Sequence, residues 1–144
     1  MKSSIRLAMG ECPQPPNHTA SSTFFKMIDN CVSIHPYFAI KPGCSDKFRE
    51  VCKKFVSKTS SEQGCLYYGF SFADHQAFCR EGYVNADAAL IHLDNVGAEI
   101  QEALQYAEIE RLEIHGNADQ LEILKEKVAS LNPVLFTLEQ GFRH

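Results

Sequence analysis

The alternation of apolar and polar residues changes its period several times along the chain, and each change predicts a new element. The stretch SIHPYFAIKPG alternates in its second half and ends on Pro-Gly, which is typical of a strand followed by a turn. The next segment predicts a helix that begins with Ser45 as its cap and ends near Gln63-Gly64. Its apolar residues have the spacing of one helical face; they are Phe48, Val51, Cys52, Phe55 and Val56.

Two aromatic-rich runs, CLYYGFSFA and QAFCREGY, are separated by Asp74 and His75 and predict a β-hairpin. We expect the more apolar face of this hairpin to pack against the helices. A carboxylate on that face, Glu81, needs either a partner such as the Tyr68 hydroxyl or a cavity that is not fully packed, because burying an unpaired carboxylate is costly. The pairs expected on this face are Phe72 with Ala77, Phe70 with Cys79, Tyr68 with Glu81, and Leu66 with Tyr83.

The second half of the chain predicts another helix and strand and then an appendix. NADAALIHLDNVGAEIQEALQYA has the pattern of a helix with Asn85 as its cap and Gly97 as a break or bend. IERLEIHG alternates as a fourth strand, so the element order is β-α-β-β-α-β, the ferredoxin-like arrangement. Asn117 and Gln120 then resemble a capping box for a further helix, and NPVLFTLEQGF predicts one more strand. The predicted fold class is therefore α+β, ferredoxin-like, with an extra C-terminal helix and strand.

Residues 1–32 differ from the rest because they combine a proline cluster with a Ser/Thr-rich stretch. We expect these residues to be an extension, poorly structured or docked, with a short helix around STFFKMIDN. Residues 33–144 form the predicted domain.

Composition and charge exclude several classes of function. The 144 residues carry a formal net charge of -4 and contain no basic run, which disfavours nucleic-acid binding. The apolar runs are far shorter than the roughly 20 residues of a membrane span, and the N-terminus lacks the apolar core of a secretory signal. The six cysteines contain no C-x-x-C pair, which indicates reduced thiols rather than a zinc site or disulfides. We expect a cytoplasmic protein.

Three stretches, PYFAIKPG, EQGCLYYGFSF and REGYVNADAALIHL, resemble the antibiotic-biosynthesis monooxygenase superfamily in their motifs and in their order. The resemblance covers about residues 34 to 115. It implies a homodimer in which two ferredoxin-like sheets form a joint α+β barrel, with a pocket between sheet and helices in each subunit. Well-known members oxygenate phenolic or quinol-type substrates without metal or flavin, so the resemblance implies no cofactor.

Carried over position by position, the resemblance assigns Glu81 to the family's glutamate and His92 to its helix histidine. It places Tyr83 where tryptophan is usual. A heme-degrading branch of the family relies on that tryptophan, and this chain has no Trp, so heme degradation is disfavoured.

The candidate reaction, cofactor-independent oxygenation, requires a base in a pocket that excludes water. His92 is the natural base near neutral pH, and Glu81 could orient it or raise its basicity. The candidate substrate-binding residues are Tyr68, Tyr83, Phe70 and Tyr37. Three functions remain open: a cofactor-independent monooxygenase acting on a small aromatic substrate, a non-catalytic small-molecule-binding or sensing dimer, and an isomerase or decarboxylase on the same fold.

Overall fold

The computed structural model describes residues 12–14 and 29–144, and most of the predicted N-terminal helix lies outside them. The extra C-terminal helix and strand are present, and a short 3-10 turn at Ala129–Leu131 joins them. The elements are β1 (Val32–Ile40), α1 (Ser45–Thr59), β2 (Cys65–Ala73), β3 (Gln76–Tyr83), α2 (Ala86–Asn95), α3 (Gly97–Tyr106), β4 (Ala107–Gly116), α4 (Ala118–Lys125) and β5 (Val134–Thr137).

The five strands form one sheet in the order β2-β3-β1-β4-β5. β1 lies antiparallel between β3 and β4, and β2 pairs antiparallel with β3. This is the ferredoxin-like arrangement, so the predicted α+β fold is confirmed. β5 pairs parallel with β4 and extends the sheet by one strand.

Strand alternation gives the sheet an inner face, which packs against the helices, and an outer face. The even-numbered residues of β1 are buried and its odd-numbered residues are partly or fully exposed. Large apolar side chains from the sheet and helices, such as Phe48 and Leu124, are 0% exposed and fill the space between the layers. The inner face therefore carries the core, and any enclosed site must lie there.

The hairpin has the predicted turn at Asp74-His75, and three of the four predicted pairs are present. The fourth is wrong because the register shifts between Cys65 and Tyr67. Cys65 pairs with Tyr83 in place of Leu66, whose side chain is 41% exposed. An irregularity of this kind inserts a residue and turns the side chains before it to the other face.

Two predicted helix caps differ from the structure. The N-cap of α1 is Cys44, which makes no side-chain capping bond, and Ser45 is the first helical residue. Asn117 caps α4 as predicted, but the Gln120 side chain does not complete the box, because its Oε1 accepts a hydrogen bond from the backbone N–H of Ala86 at 2.7 Å. Gln120 thus ties α4 to the start of α2.

The helix α1 ends at Thr59, before the predicted end near Gln63-Gly64. The hydroxyls of Ser60 and Ser61 donate hydrogen bonds to carbonyls of its last turn, which satisfies groups that a longer helix would use. The chain is thereby free to turn, and this turn holds Glu62.

The second predicted helix is divided into α2 and α3 at Val96–Gly97, which confirms the predicted break. Asn85 caps α2 as predicted, since its side chain accepts a hydrogen bond from the backbone N–H of Ala88 at 2.9 Å. The cap fixes which face of α2 is turned to the sheet. No helix in residues 29–144 is long and apolar enough to cross a membrane.

Candidate active site

An apolar cavity of about 70 Å³ lies between the inner face of the sheet and the helices. Besides the Cys79 thiol, its polar side chains are Tyr68, Glu81 and His92. Most of the lining is aromatic or aliphatic and includes Ile34, Phe38, Phe55, Phe70, Leu112 and Ile114. A few polar groups that converge in an apolar pocket are the usual composition of a ligand site.

The cavity opens beside Ile109 and Leu131, which line it with side chains that are 37% and 43% exposed. Leu131 belongs to the short turn after α4, so the C-terminal appendix forms part of the opening. The exposed side chains of the lining are therefore apolar, and Leu131, unlike Ile109, lies outside the region of family resemblance.

Glu81 lies on the inner face of β3 and is 4% exposed. The Tyr83 hydroxyl donates a hydrogen bond to its Oε1 at 3.0 Å. Both predicted alternatives hold at once, because the carboxyl group is paired and also faces the cavity; its partner is Tyr83 and not Tyr68. Burial raises the pKa of the Glu81 carboxyl to about 7.

His92 lies on the buried face of α2 and is 2% exposed. Its ring packs between those of Tyr68 and Tyr83, with centroid distances of 5.3 and 5.0 Å. Its Nε2 is 3.7 Å from Oε1 of Glu81, which is longer than a hydrogen bond. Since both side chains line the cavity, a substrate atom can contact both of them.

The carboxylate that contacts the other nitrogen of His92 is Glu62, which the sequence analysis did not assign. Its Oε2 lies 3.0 Å from Nδ1 of His92 and accepts a hydrogen bond from Nδ2 of Asn95 at 2.8 Å. Burial lowers the pKa of His92, and the hydrogen bond that its ring makes to Glu62 opposes that change. The motif EQGC contains Glu62 and was a signal for it, but a charged residue in a turn is ordinarily exposed.

Gly64 allows α2 to approach the turn that carries Glu62. A Cβ at this position would lie 2.5 Å from Cβ of Ala88, far inside van der Waals contact. The backbone carbonyl of Gly64 also accepts a hydrogen bond from the N–H of Val84 at 2.9 Å. The absence of a side chain here lets Glu62 reach His92.

Two neighbouring groups stay protonated at neutral pH. Burial raises the pKa of the Tyr68 hydroxyl and of the Cys79 thiol well above the ordinary range. Glu81, by contrast, has a pKa near neutrality, and burial lowers the pKa of His92. Among the described residues, no group of His, Cys, Asp and Glu is arranged to hold a metal ion.

The structure corrects the placement of Tyr37. It brings Tyr68, Phe70, Glu81 and His92 to the cavity and sets Tyr83 against Glu81, but Tyr37 lies on the outer face. Tyr37 is 36% exposed, and its ring is 4.9 Å from that of Phe78. Because alternate residues of a strand point to opposite faces, it cannot share a pocket with Phe38.

The outer face has polar and aromatic groups of its own. Nε2 of His115 lies 3.2 Å from Oε1 of Glu113, and the rings of His115 and His35 are 4.5 Å apart. Arg111 forms an ion pair with Glu113. Aromatic rings, among them Tyr37, Tyr67, Phe78 and Phe136, surround this cluster.

Among the solved structures that this chain resembles is a relative with substantial sequence identity. MupZ from Pseudomonas fluorescens is 41% identical, with a TM-score of 0.77, over 80% of this chain and 95% of that one. No family model matches the sequence, and no curated protein is significantly similar to it.

More distant solved structures share the fold. A Caulobacter crescentus protein described as a candidate antibiotic biosynthesis monooxygenase is 18% identical, with a TM-score of 0.54, over 60% of this chain and 88% of that one. SnoaB of Streptomyces nogalater, described as a cofactor-independent oxygenase, is 12% identical with a TM-score of 0.53, and the match covers 59% of this chain and 90% of that one.

Proposed function

Because this chain belongs to the family of MupZ and has the fold of the antibiotic-biosynthesis monooxygenase superfamily, we propose that it is a small enzyme whose active site is the cavity at Glu81 and His92. The observation that carries this proposal is the pair itself. A carboxyl group with a pKa of about 7 lies beside an imidazole in an apolar space. The carboxyl group titrates near neutral pH and burial lowers the pKa of the imidazole, so the pair offers an acid and a base for general acid–base catalysis.

The reaction we propose is cofactor-independent monooxygenation of a small phenolic or quinol-type substrate. His92 takes the phenolic proton, and the resulting electron-rich anion reduces dioxygen. Overall, the substrate loses one hydrogen from a ring carbon and one from the phenolic hydroxyl, that ring carbon gains one oxygen atom of dioxygen as a carbonyl, and the second oxygen atom leaves as water with the two hydrogens, so the substrate supplies all the electrons. The description of SnoaB as a cofactor-independent oxygenase supports this choice through the shared fold.

The size of the cavity limits how the substrate binds. A volume of about 70 Å³ is well below the roughly 300–1,000 Å³ of typical ligand pockets. A bound aromatic ring therefore requires side chains to move, and Ile109 and Leu131 at the mouth are the exposed ones. Tyr68 and Phe70 would then contact the ring, and Glu81 and His92 its oxygen.

Oxygen consumption tests the proposal directly. Metal-free protein is screened in an oxygen electrode against hydroquinones and polyphenols, and products are analysed by mass spectrometry for one added oxygen and two lost hydrogens. The matched control protein is the variant Glu113→Gln, which removes a carboxylate from the outer face and should consume oxygen at nearly the wild-type rate. Binding of these compounds without oxygen consumption would instead identify a small-molecule-binding protein.

One observation favours a second candidate, isomerisation. With its pKa of about 7, Glu81 can serve as an acid while His92 serves as a base, and a proton shift between two atoms of a substrate needs no oxygen. Incubation of the same compounds without oxygen in D₂O distinguishes the two reactions. Deuterium incorporation under anaerobic conditions supports isomerisation, whereas its absence together with oxygen uptake supports oxygenation.

We also propose that two copies associate through the outer face of the sheet. Aromatic side chains on this face, such as Tyr37 and Tyr67, are each 36% exposed, and an uncovered apolar sheet face is unfavourable in water. Analytical ultracentrifugation should give twice the 16.2 kDa of the chain. Phe78→Glu should shift the protein towards monomer, whereas Ile91→Glu, at an exposed position of α2, should not. A stable wild-type monomer at micromolar concentration would contradict this proposal.

A further inference from the structure

Glu62 lies at the boundary between the buried pair and the solvent. Its side chain is 7% exposed, and its carboxylate contacts Nδ1 of His92. Glu62 also lines an open recess of about 240 Å³ on the protein surface, between the end of α1 and the start of β2. The imidazole of His92 therefore separates two carboxyl groups, Glu62 on the solvent side and Glu81 on the cavity side.

The recess contains a further polar group beside Glu62. Thr59 lines the recess, and its hydroxyl is buried beside that of Tyr68. Ser60 also lines the recess, so a water molecule there has polar groups with which to bond.

A catalytic acid or base inside an apolar cavity must exchange protons with solvent between turnovers, yet the mouth of this cavity is lined by Ile109 and Leu131. We propose that Glu62 is a positioning residue that holds the ring of His92 and also passes protons between Nδ1 of His92 and water in the recess. This inference rests on the proposed function, and it adds a proton route separate from the substrate entrance.

The proton steps balance over one cycle. On the way out, Nε2 of His92 accepts a proton from the substrate or from Glu81, and Nδ1 gives its proton to Glu62, which leaves the ring neutral with Nε2 protonated. On the way in, Glu62 returns a proton to Nδ1, and Nε2 gives its proton to the product or to Glu81. One passage in each direction restores the starting tautomer, so the ring does not need to turn over.

The other charged and titratable groups around Glu62 do not provide the same route. Lys58, on the last turn of α1, is bound to Glu99 and to the backbone carbonyl of Asn95. Cys65, at the start of β2, also lines the recess, but burial raises the pKa of its thiol. On the other side of the imidazole, Glu81 lines the cavity and does not line the recess. Glu62 is thus the carboxylate that contacts both the imidazole and the recess.

Nuclear magnetic resonance of the full-length, ¹⁵N-labelled protein tests the inference without any substrate. The variant is Glu62→Gln, which keeps the shape and removes the charge and the proton acceptor. We expect the pKa of His92 to fall by about one unit or more, since an opposite charge at hydrogen-bond distance is lost. We expect the solvent exchange of the His92 ring N–H to slow by about 10²-fold, the low end of what a positioned proton acceptor contributes.

Two further variants make the result decisive. Glu99→Gln removes another buried carboxylate near α1 without touching His92 and should leave both readouts unchanged. Glu62→Asp keeps the charge, so it should restore part of the exchange rate, and it provides the test if Glu62→Gln does not fold. Exchange at the wild-type rate in Glu62→Gln would overturn the proton route, and an unchanged His92 pKa would overturn the positioning role. A failed search for turnover would leave both readouts intact.

Discussion

The two faces of the sheet carry the same kinds of side chain in opposite environments. At the inner face, Glu81 of β3 and His92 of the helix α2 that packs against it have side chains that are 5% and 2% exposed. On the outer face, Glu113 and His115 have side chains that are 14% and 39% exposed. The inner carboxyl is paired with a neutral hydroxyl, whereas Arg111 pairs with the outer one.

The difference in surroundings reverses the acid–base character of the two glutamates. Burial raises the pKa of Glu81 to about 7. The hydrogen bond from Arg111 holds the pKa of Glu113 below its ordinary value. A carboxyl group becomes a useful proton donor near neutrality only where charge is poorly solvated and no cation compensates it. We therefore expect acid–base catalysis at the inner face. Variants of the outer-face residues Glu113 and His115 are its controls.

The largest contrast should appear in turnover. His92→Ala and Glu81→Gln should each lower the rate with a responsive phenolic substrate by about 10²-fold or more, because a positioned acid or base is lost. The two effects should be non-additive if the residues act as a unit. His115→Ala and Glu113→Gln should leave the rate within about twofold, because exposed ion pairs contribute little. Full turnover in both inner variants would remove the catalytic assignment.

The free energy of unfolding should depend on pH differently for Glu81 and for Glu113. The native pKa of Glu81, about 7, is above the unfolded value, so its contribution to stability is complete below the unfolded pKa and declines as pH rises through 7. Glu81→Gln removes this decline and should raise the free energy of unfolding by up to about 3 kcal/mol at about pH 8. Urea denaturation at acidic and alkaline pH measures this change.

Glu113 should show the opposite sign in the same denaturation series. Its native pKa is lowered, so its contribution to stability is present above the unfolded pKa and is lost as pH falls through the native one. Glu113→Gln should therefore lower stability slightly at neutral and alkaline pH, leave stability below the native pKa unchanged, and so reduce the acid sensitivity of the protein. Equal pH profiles for the two variants would show that the two faces do not differ electrostatically.

Two glycines of the hairpin region allow a matched packing test. Gly64→Ala places a methyl group against Ala88 and should destabilise the protein by about 1–3 kcal/mol, the usual cost of overpacking. It should also move α2 and so lengthen the contact between Glu62 and His92. Gly69 has nothing within 4 Å of the added atom, so Gly69→Ala should be neutral or slightly stabilising. Thermal unfolding of both variants gives the comparison.

The smallest contrast concerns two tyrosine hydroxyls. Tyr68→Phe should lower turnover by about two- to tenfold, the value of one neutral hydrogen bond to substrate. Tyr37→Phe, on the outer face, should change neither kcat nor KM. Equal losses in the two variants would show that the outer face takes part in the reaction.

Much of the fold follows from periodicity, and so does part of the site. A period of two places Glu81 on the same face as Tyr68, and the Asn85 cap sets the phase of the helix that carries His92. The family motifs supplied the same two positions independently. These residues come together only when the helix packs on the sheet. The sequence therefore predicts their contact only through the fold that it predicts.

The misplaced residues have local causes that periodicity does not record. The register shift before Tyr67 moves Leu66 outward, and no feature of the sequence distinguishes a bulged strand from a regular one here. Glu62 was missed because the end of α1 was predicted too late, beyond the turn that aims its side chain inward. Tyr37 was placed in the pocket despite strand alternation, which indicates the outer face.

The strand β5 has a consequence for how copies of this protein can aggregate. A ferredoxin-like sheet would leave β4 as an open edge, but here the last four residues of β4 pair with β5, which is only four residues long and follows Pro133. The opposite edge, β2, is interrupted by the register shift near Cys65. Short and irregular edges resist the strand-by-strand addition that builds fibrils. Association through faces closes after two copies, whereas edge pairing would continue without limit.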